Sequence, residues 1–168
     1  MTGVEQCELE VDKIVLNSIA KSNAILTPED KDSGVCLVDI GAGVTSYSVF
    51  SEEGIVRSGV IAFGGDEITQ EIAYAFDTSF EEAKRLKENY GSAKSSTLKE
   101  DKLIRFTQNK EEHHLSSLEL SEVIEEGYRA IFTLLNNELK HHNLNGIIRS
   151  GFVLCGGGAQ INSILELV

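Results

Sequence analysis

Residues 36–50 read Cys-Leu-Val-Asp-Ile-Gly-Ala-Gly-Val-Thr-Ser-Tyr-Ser-Val-Phe. The direction in which the chain leaves these glycines restricts the fold more than any other feature. The apolar run from Val35 to Ile40 predicts a buried strand that enters a glycine turn. Val44 to Phe50 is β-branched and aromatic without helical spacing, so a second strand is expected after the turn. A dinucleotide fingerprint would instead open a helix whose amides hold pyrophosphate. Here the glycines close a hairpin, and Gly41 and Gly43 can aim consecutive backbone N–H groups at one point as an anion-binding nest. Asp39 ends the first strand, where a carboxylate can hold a hydrated metal ion beside that anion. A second cluster, Cys155-Gly156-Gly157-Gly158-Ala159-Gln160-Ile161, follows another apolar strand. The pair points to a nucleotide.

The chain has 168 residues, enough for one domain or a domain with a small insertion. Its net charge of −12 argues against nucleic acid and against docking on anionic lipid. No apolar run approaches the roughly 20 residues that span a bilayer, and no signal peptide is visible. The three cysteines form no CxxC and no disulfide framework, which suits the cytosol. Cys36 and Cys155 are expected to be small core residues. His113-His114 and His141-His142 are adjacent pairs whose side chains diverge on a regular element, so neither makes a chelate.

Along the chain, Val11 to Leu16 suggests a strand and Asn17 to Leu26 a short helix that stops before Thr27-Pro28. Glu29 to Gly34 reads as a turn. The hairpin is followed by a Ser-Glu-Glu-Gly turn at 51–54 and a third strand from Ile55 to Ala62. Past Gly64-Gly65, Ile68, Ile72, Ala75 and Phe76 share one helical face. A second helix starts at a capping box from Ser79 to Glu82, buries Ala83, Leu86 and Tyr90, and ends at Gly91. Residues 92–117 are polar, with an exposed strand over 103–107 and a fragment of another near Leu115. A long helix then carries Ile124, Tyr128, Ile131, Leu135 and Leu139 inward and Glu122, Glu125, Glu126 and Arg129 outward. Phe152 to Cys155 is a buried strand, and Ala159 begins a further helix. The order is that of an α/β lobe with one insertion.

Four segments, 22–29, 34–43, 60–76 and 150–161, together resemble the second lobe of the actin-like ATPases, and most closely the FtsA family of bacterial division proteins. The stretch Val60-Ile61-Ala62-Phe63-Gly64-Gly65-Asp66-Glu67-Ile68-Thr69 carries most of the resemblance. It implies an actin-like (ribonuclease H-like) lobe, a mixed β-sheet with flanking helices and a small α+β insertion. Residues 1–64 and 119–168 would form the nucleotide-binding core and 65–118 the inserted subdomain. By the same resemblance Gly41, Ala42, Gly43, Val44 and Thr45 belong to the second phosphate loop. Asp39 would be its magnesium and water-orienting carboxylate. Gly156, Gly157, Gly158 and Ile161 would contact adenosine, and Lys87 would pack against adenine. ATP or ADP with Mg2+ is the implied cofactor set.

The departures are informative. Relatives commonly place a threonine where Val44 stands, and the hydroxyl of Thr45 should point to the opposite face of its strand. Lys84 stands where relatives often carry a glutamate that holds the ribose. Asn17, near the water-orienting polar residue of hydrolysing relatives, is a poor base. Binding is therefore expected to survive while hydrolysis is slow or absent. The first phosphate loop has no counterpart, so these residues read as an excised lobe with half a cleft and weak nucleotide affinity. The resemblance further implies filaments, other divisome proteins as partners, and the C-terminal tail of FtsZ docking on residues 65–118. There Lys84, Arg85, Lys87, Lys94, Lys99, Lys102, Arg105 and Lys110 suit an acidic peptide. Membrane contact at the inner face of the division site would run through a segment absent from this chain. A phosphotransferase or chaperone ATPase, and a nucleotide-free pilus or secretion adaptor, remain alternatives within the same fold.

Overall fold

The computed structural model describes residues 7, 10–108 and 111–168. Four strands form one sheet: β1 (Val35–Ile40), β2 (Thr45–Ser51), β3 (Gly54–Ile61) and a strand near the C-terminus, Phe152–Cys155. β1 pairs antiparallel with β2, and β2 with β3, as the hairpin and meander reading requires. Phe152–Cys155 runs parallel to β1 on its other side. Parallel neighbours need a long crossover, and the helices between residues 65 and 141 supply it.

Alternation along β1 divides the apolar side chains. Cys36, Val38 and Ile40 enter the larger core with Tyr47, Ile68, Ile72, Ile124, Ile131 and Leu135. Val35 and Leu37 enter a smaller one with Leu26 and Phe50. The sheet is thus apolar on both faces at its centre, which is why β1 reads as a continuous apolar run.

Before the sheet lie helices α1 (Asn17–Ile25) and α2 (Pro28–Ser33). The second replaces the turn expected at 29–34. Thr27 Oγ1 accepts from the Asp30 N–H at 3.1 Å, and Asp30 Oδ2 accepts from the Thr27 N–H at 2.9 Å. This capping box, with Pro28 at the first helical position, suffices to start a short helix. Residues 11–16, expected as a strand, are exposed and pair with no strand among the described residues.

Helices α3 (Gly65–Ala75) and α4 (Phe80–Tyr90) follow the meander. Ser79 caps α4 by accepting from the Glu82 N–H. The Glu82 carboxylate does not return to close the box; it holds Arg85 and the Thr107 N–H. Tyr90, expected inside, is 44% exposed because the helix ends there. The polar stretch forms a hairpin of β4 (Leu103–Gln108) and β5 (Glu111–Ser116) rather than isolated fragments. Ile104, Phe106 and Leu115 on one of its faces are buried in the larger core.

Helix α5 (Ser117–His141) buries all five expected stripe residues. Glu125 departs from the outward set: its carboxylate accepts from the Ser95 N–H at 2.7 Å and Oγ at 2.8 Å. The Ser95 amide and hydroxyl with Arg129 hold it down to about 2. Because Ser95–Thr97 makes a 3-10 turn over this side of the helix, a position periodicity assigns to solvent becomes a tether. The last strand, β6 (Phe152–Cys155), is an edge and only half-buried. Beyond it, 3-10 turns at Gly157–Gln160 and Ile164–Glu166 stand where one helix was expected.

Candidate functional site

The turn between β1 and β2 is closed from within and braced from outside. The Gly41 N–H donates to Val44 O at 2.9 Å, so this amide serves the turn itself. The carbonyls of Gly41 and Ala42 accept from the first amides of α3, Gly65 N–H at 2.9 Å and Asp66 N–H at 2.7 Å. A Cβ on Gly64 would lie 2.4 Å from Ala42 O and 2.7 Å from Val44 N, so glycine is what lets the helix approach. Among the described residues the amides of Ala42 and Gly43 make no hydrogen bond, and they are the donors left for an anion. Gly43 has nothing within 4 Å of a built Cβ and a φ outside the left-handed region. No contact within the chain requires glycine there. Thr45 is buried, with its hydroxyl donating to Phe63 O at 2.8 Å, and Val44 is exposed.

The second glycine cluster folds back onto this turn. Gly156 has φ +88°, and a Cβ there would lie 2.5 Å from both Asp39 Oδ1 and Ile40 O. Gly158 lies against the Ile40 side chain, and its carbonyl accepts from the Tyr128 hydroxyl at 2.7 Å. Burial pushes that hydroxyl up to about 12, so it stays a donor. Between the turn and these glycines lies a cavity of about 460 Å³, lined by Gly41, Ala42, Gly65, Asp66, Lys84, Lys87, Glu88, Tyr128, Gly157, Gly158, Gln160 and Ile161. That is within the usual size of a small-molecule site. Lys87 is half-buried, with Nζ donating to Thr69 Oγ1 at 2.6 Å and to Gly65 O. Burial lowers its pKa, while Asp66 favours the charged form. It is thus a cation at the cavity wall beside the start of α3 rather than a solvated helix lysine.

Gly43, Val44, Thr45, Asp39 and Gly156 do not line this cavity. Asp39 and Ser46, which flank the turn, line a second cavity of about 310 Å³ with Asn17, Ser18, Lys21, Ser48 and Ser58. The Asp39 carboxylate is paired with the Lys21 ammonium, and their side chains are 16% and 32% exposed. Ser46 Oγ approaches the same carboxylate oxygen at 3.5 Å. Among the described residues no group of three His, Cys, Asp or Glu could hold a metal ion. Magnesium asks for several oxygens in near-octahedral array. A carboxylate at the end of β1 could contribute to such an array only together with water or ligand oxygens, and in this structure it is paired with Lys21.

Sequence reasoning left Lys21, Glu88, Tyr128 and Gln160 out of the site. Tyr128 lies in the apolar stripe, and only its hydroxyl signals a second role. Lys84 and Glu88 are neighbours one turn apart on α4, with 4.0 Å between Nζ and Oε1. Lys21, a single lysine in a short helix, carries no sequence signal at all.

The basic residues of the insertion are not one groove. Arg85 holds Glu82 through two hydrogen bonds and donates to Arg105 O. Lys94 Nζ donates to Glu166 O. Lys99 and Lys102 line a separate groove with Tyr90, Leu98, Glu100, Ile104 and Ser117. Lys110 lies outside the described residues.

The four-stranded sheet with its two glycine turns facing one cavity has the architecture of actin-like ATPases. MreB5 of Spiroplasma citri, solved with AMPPNP, superposes with a TM-score of 0.74 at 23% identity, over 86% of this chain and 47% of that one. The chain in the MamK double helical filament gives 0.63 at 18% identity, over 79% of this chain and 44% of that one. Residues 36–168 match the family described as "Cell division protein FtsA". The chain is 36% identical to FtsA of Pseudomonas aeruginosa over 166 residues, which is 98% of this chain and 40% of that protein. Against Escherichia coli K12 FtsA the identity is 32% over 176 residues, covering 96% and 41%. The chain belongs to the FtsA family of cell division proteins. It spans about 40% of the length of these relatives.

Proposed function

We propose that this chain is the adenine-nucleotide-binding lobe of an FtsA-type division protein. The observation that carries the reading is a cavity lined by residues of both glycine turns, with Ala42, whose amide is free among the described residues, and the Lys87 ammonium in its wall. The β- and α-phosphates of ADP or ATP would lie against Ala42 and Gly43. Adenosine would lie along Gly156, Gly157, Gly158 and Ile161. The open backbone at Gly157 leaves room for it. Solved MreB5 chains carry AMPPNP or ADP, which supports the choice of ligand.

Residues 1–64 and 119–168 act as the core of the lobe, and 65–118 as an inserted subdomain. Magnesium accompanies the nucleotide, held by phosphate oxygens and water. Turnover is slow or absent: Val44 offers no hydroxyl, Thr45 points away into Phe63 O, and Asn17 is no base. Nucleotide occupancy then serves assembly. Filament formation, supported by the filamentous MamK neighbour, would place the protein at the inner face of the division site. There it would link the FtsZ ring to the membrane through a segment outside these residues.

The acidic C-terminal tail of FtsZ would lie in the groove of Tyr90, Leu98, Lys99, Lys102 and Ile104, where two free ammonium groups flank apolar surface. Fluorescence anisotropy with a labelled tail peptide tests this assignment. Lys99→Glu with Lys102→Glu should weaken binding about tenfold or more; unchanged affinity would move the partner to another surface. Arg85 is unsuitable for that test because it braces the insertion through Glu82. For the nucleotide itself, calorimetry with ADP is the test, and absence of binding at millimolar ligand would refute the reading.

A further inference from the structure

Tyr128 carries a hydroxyl into the apolar stripe of α5, and that hydroxyl is committed to the second glycine cluster. The residue is 1% exposed and packs in the larger core. Its hydroxyl donates to Gly158 O at 2.7 Å. Gly158 also lies tightly against Ile40: a Cβ there would be 2.4 Å from Ile40 Cγ2 and 3.1 Å from Ile40 O. Ile40 is the residue from which the phosphate turn starts. The second cluster is thus held against both the end of β1 and α5.

The same stretch of α5 bears on the phosphate turn. Beside Tyr128 is Gly127, where a Cβ would lie 2.7 Å from Ile68 Cγ1 on α3. Glycine there lets α5 lie close to α3. The first amides of α3 in turn brace the carbonyls of Gly41 and Ala42. Gly127 and Tyr128 therefore connect one helix to both glycine turns. The segment Gly157–Gln160 has only a 3-10 turn of its own, whose hydrogen bonds are poorer than those of an α-helix. Its placement depends on contacts from outside, and the Tyr128 bond gives one of them a direction.

A ligand that spans both turns binds best when they already stand at the right separation, because ordering them on binding costs affinity. A ligand held by the phosphate turn alone is indifferent to where Gly158 lies. Resting on the nucleotide reading of this cavity, we propose that Tyr128 is a positioning residue for the nucleotide. Its hydroxyl holds the Gly157–Gly158 backbone where adenosine meets it, while its ring stays in the core.

The 15N-labelled wild type and Tyr128→Phe are titrated with ADP and with inorganic pyrophosphate, following the amides of Ala42, Gly43, Gly157 and Gly158. The variant keeps the ring and loses one oxygen, so the core stays filled. Its ADP affinity should fall about tenfold or more, while its pyrophosphate affinity should change by less than about twofold. If pyrophosphate binds too weakly to titrate, ADP alone gives the same split. At saturation Ala42 and Gly43 keep their wild-type shifts in the variant, and Gly157 and Gly158 do not. A variant that binds ADP as tightly as the wild type overturns the role of Tyr128 and leaves the nucleotide reading intact. Equal loss of both ligands, or equal change at all four amides, does the same. A wild type that binds no ADP overturns both.

Discussion

Two glycines that flank the same turn separate steric necessity from ligand access. In Gly64→Ala the new methyl meets backbone on two sides, 2.4 Å from Ala42 O and 2.7 Å from Val44 N. Neither atom belongs to a flexible side chain, so either the turn or the start of α3 must move. Overpacking of this kind costs about 1 to 3 kcal/mol. Movement also weakens the bonds from Gly65 and Asp66 to the turn, at about 0.5 to 1.5 kcal/mol each. A loss near 3 kcal/mol lowers the melting temperature by about 6 to 12 °C in a domain of this size.

Gly43→Ala meets nothing within 4 Å and needs no left-handed backbone. By restricting the unfolded chain it should leave stability unchanged or raise it by up to about 1 kcal/mol. Yet it adds bulk at the residue proposed to hold phosphate through its amide, and ADP affinity should fall about tenfold or more. Differential scanning calorimetry and ADP titration on both variants check the pair. A destabilised Gly43→Ala, or one that binds ADP as the wild type does, would refute the reasoning.

Three further perturbations bear on the same structure. Lys87→Met removes the cation beside Gly65 O and should reduce ADP affinity about tenfold with little change in secondary structure; unchanged affinity by calorimetry would place the ligand elsewhere. Glu125 is held down to about 2 by Ser95 and Arg129, so its stabilising effect is full above its ordinary value of 4.5 and is lost as pH falls toward 2. Glu125→Gln should therefore cost about 1 to 3 kcal/mol near neutral pH, with the deficit vanishing in acid, as chemical denaturation across pH would show. Burial pushes the Cys36 thiol up to about 12 while Cys7 is exposed. Alkylation read by mass spectrometry should label Cys7 in the folded chain and Cys36 only on unfolding.

The sheet and its glycine turns were legible because each is set by local chemistry: alternation, β-branching and glycine at a close approach. The long helix was legible for the same reason, since five residues keep one face over its whole length. What escaped was set by tertiary contact. Glu125 sits on the outward face by periodicity, yet a turn thirty residues earlier folds over it. Ile104 and Phe106 alternate in a polar stretch too short to show burial until β5 pairs beside them. In the site, the glycines could be named from sequence but the partition between two cavities could not. Lys21 was the costliest omission, because a lysine eighteen residues before an aspartate carries no pattern.

The most direct test is a titration of the 15N-labelled chain with ADP, followed amide by amide. If the two glycine turns share one nucleotide, the resonances of Ala42, Gly43, Gly157 and Gly158 shift together along one saturating curve while those of β4 and β5 stay in place. Shifts confined to other surfaces, or none at millimolar ADP, would contradict the account.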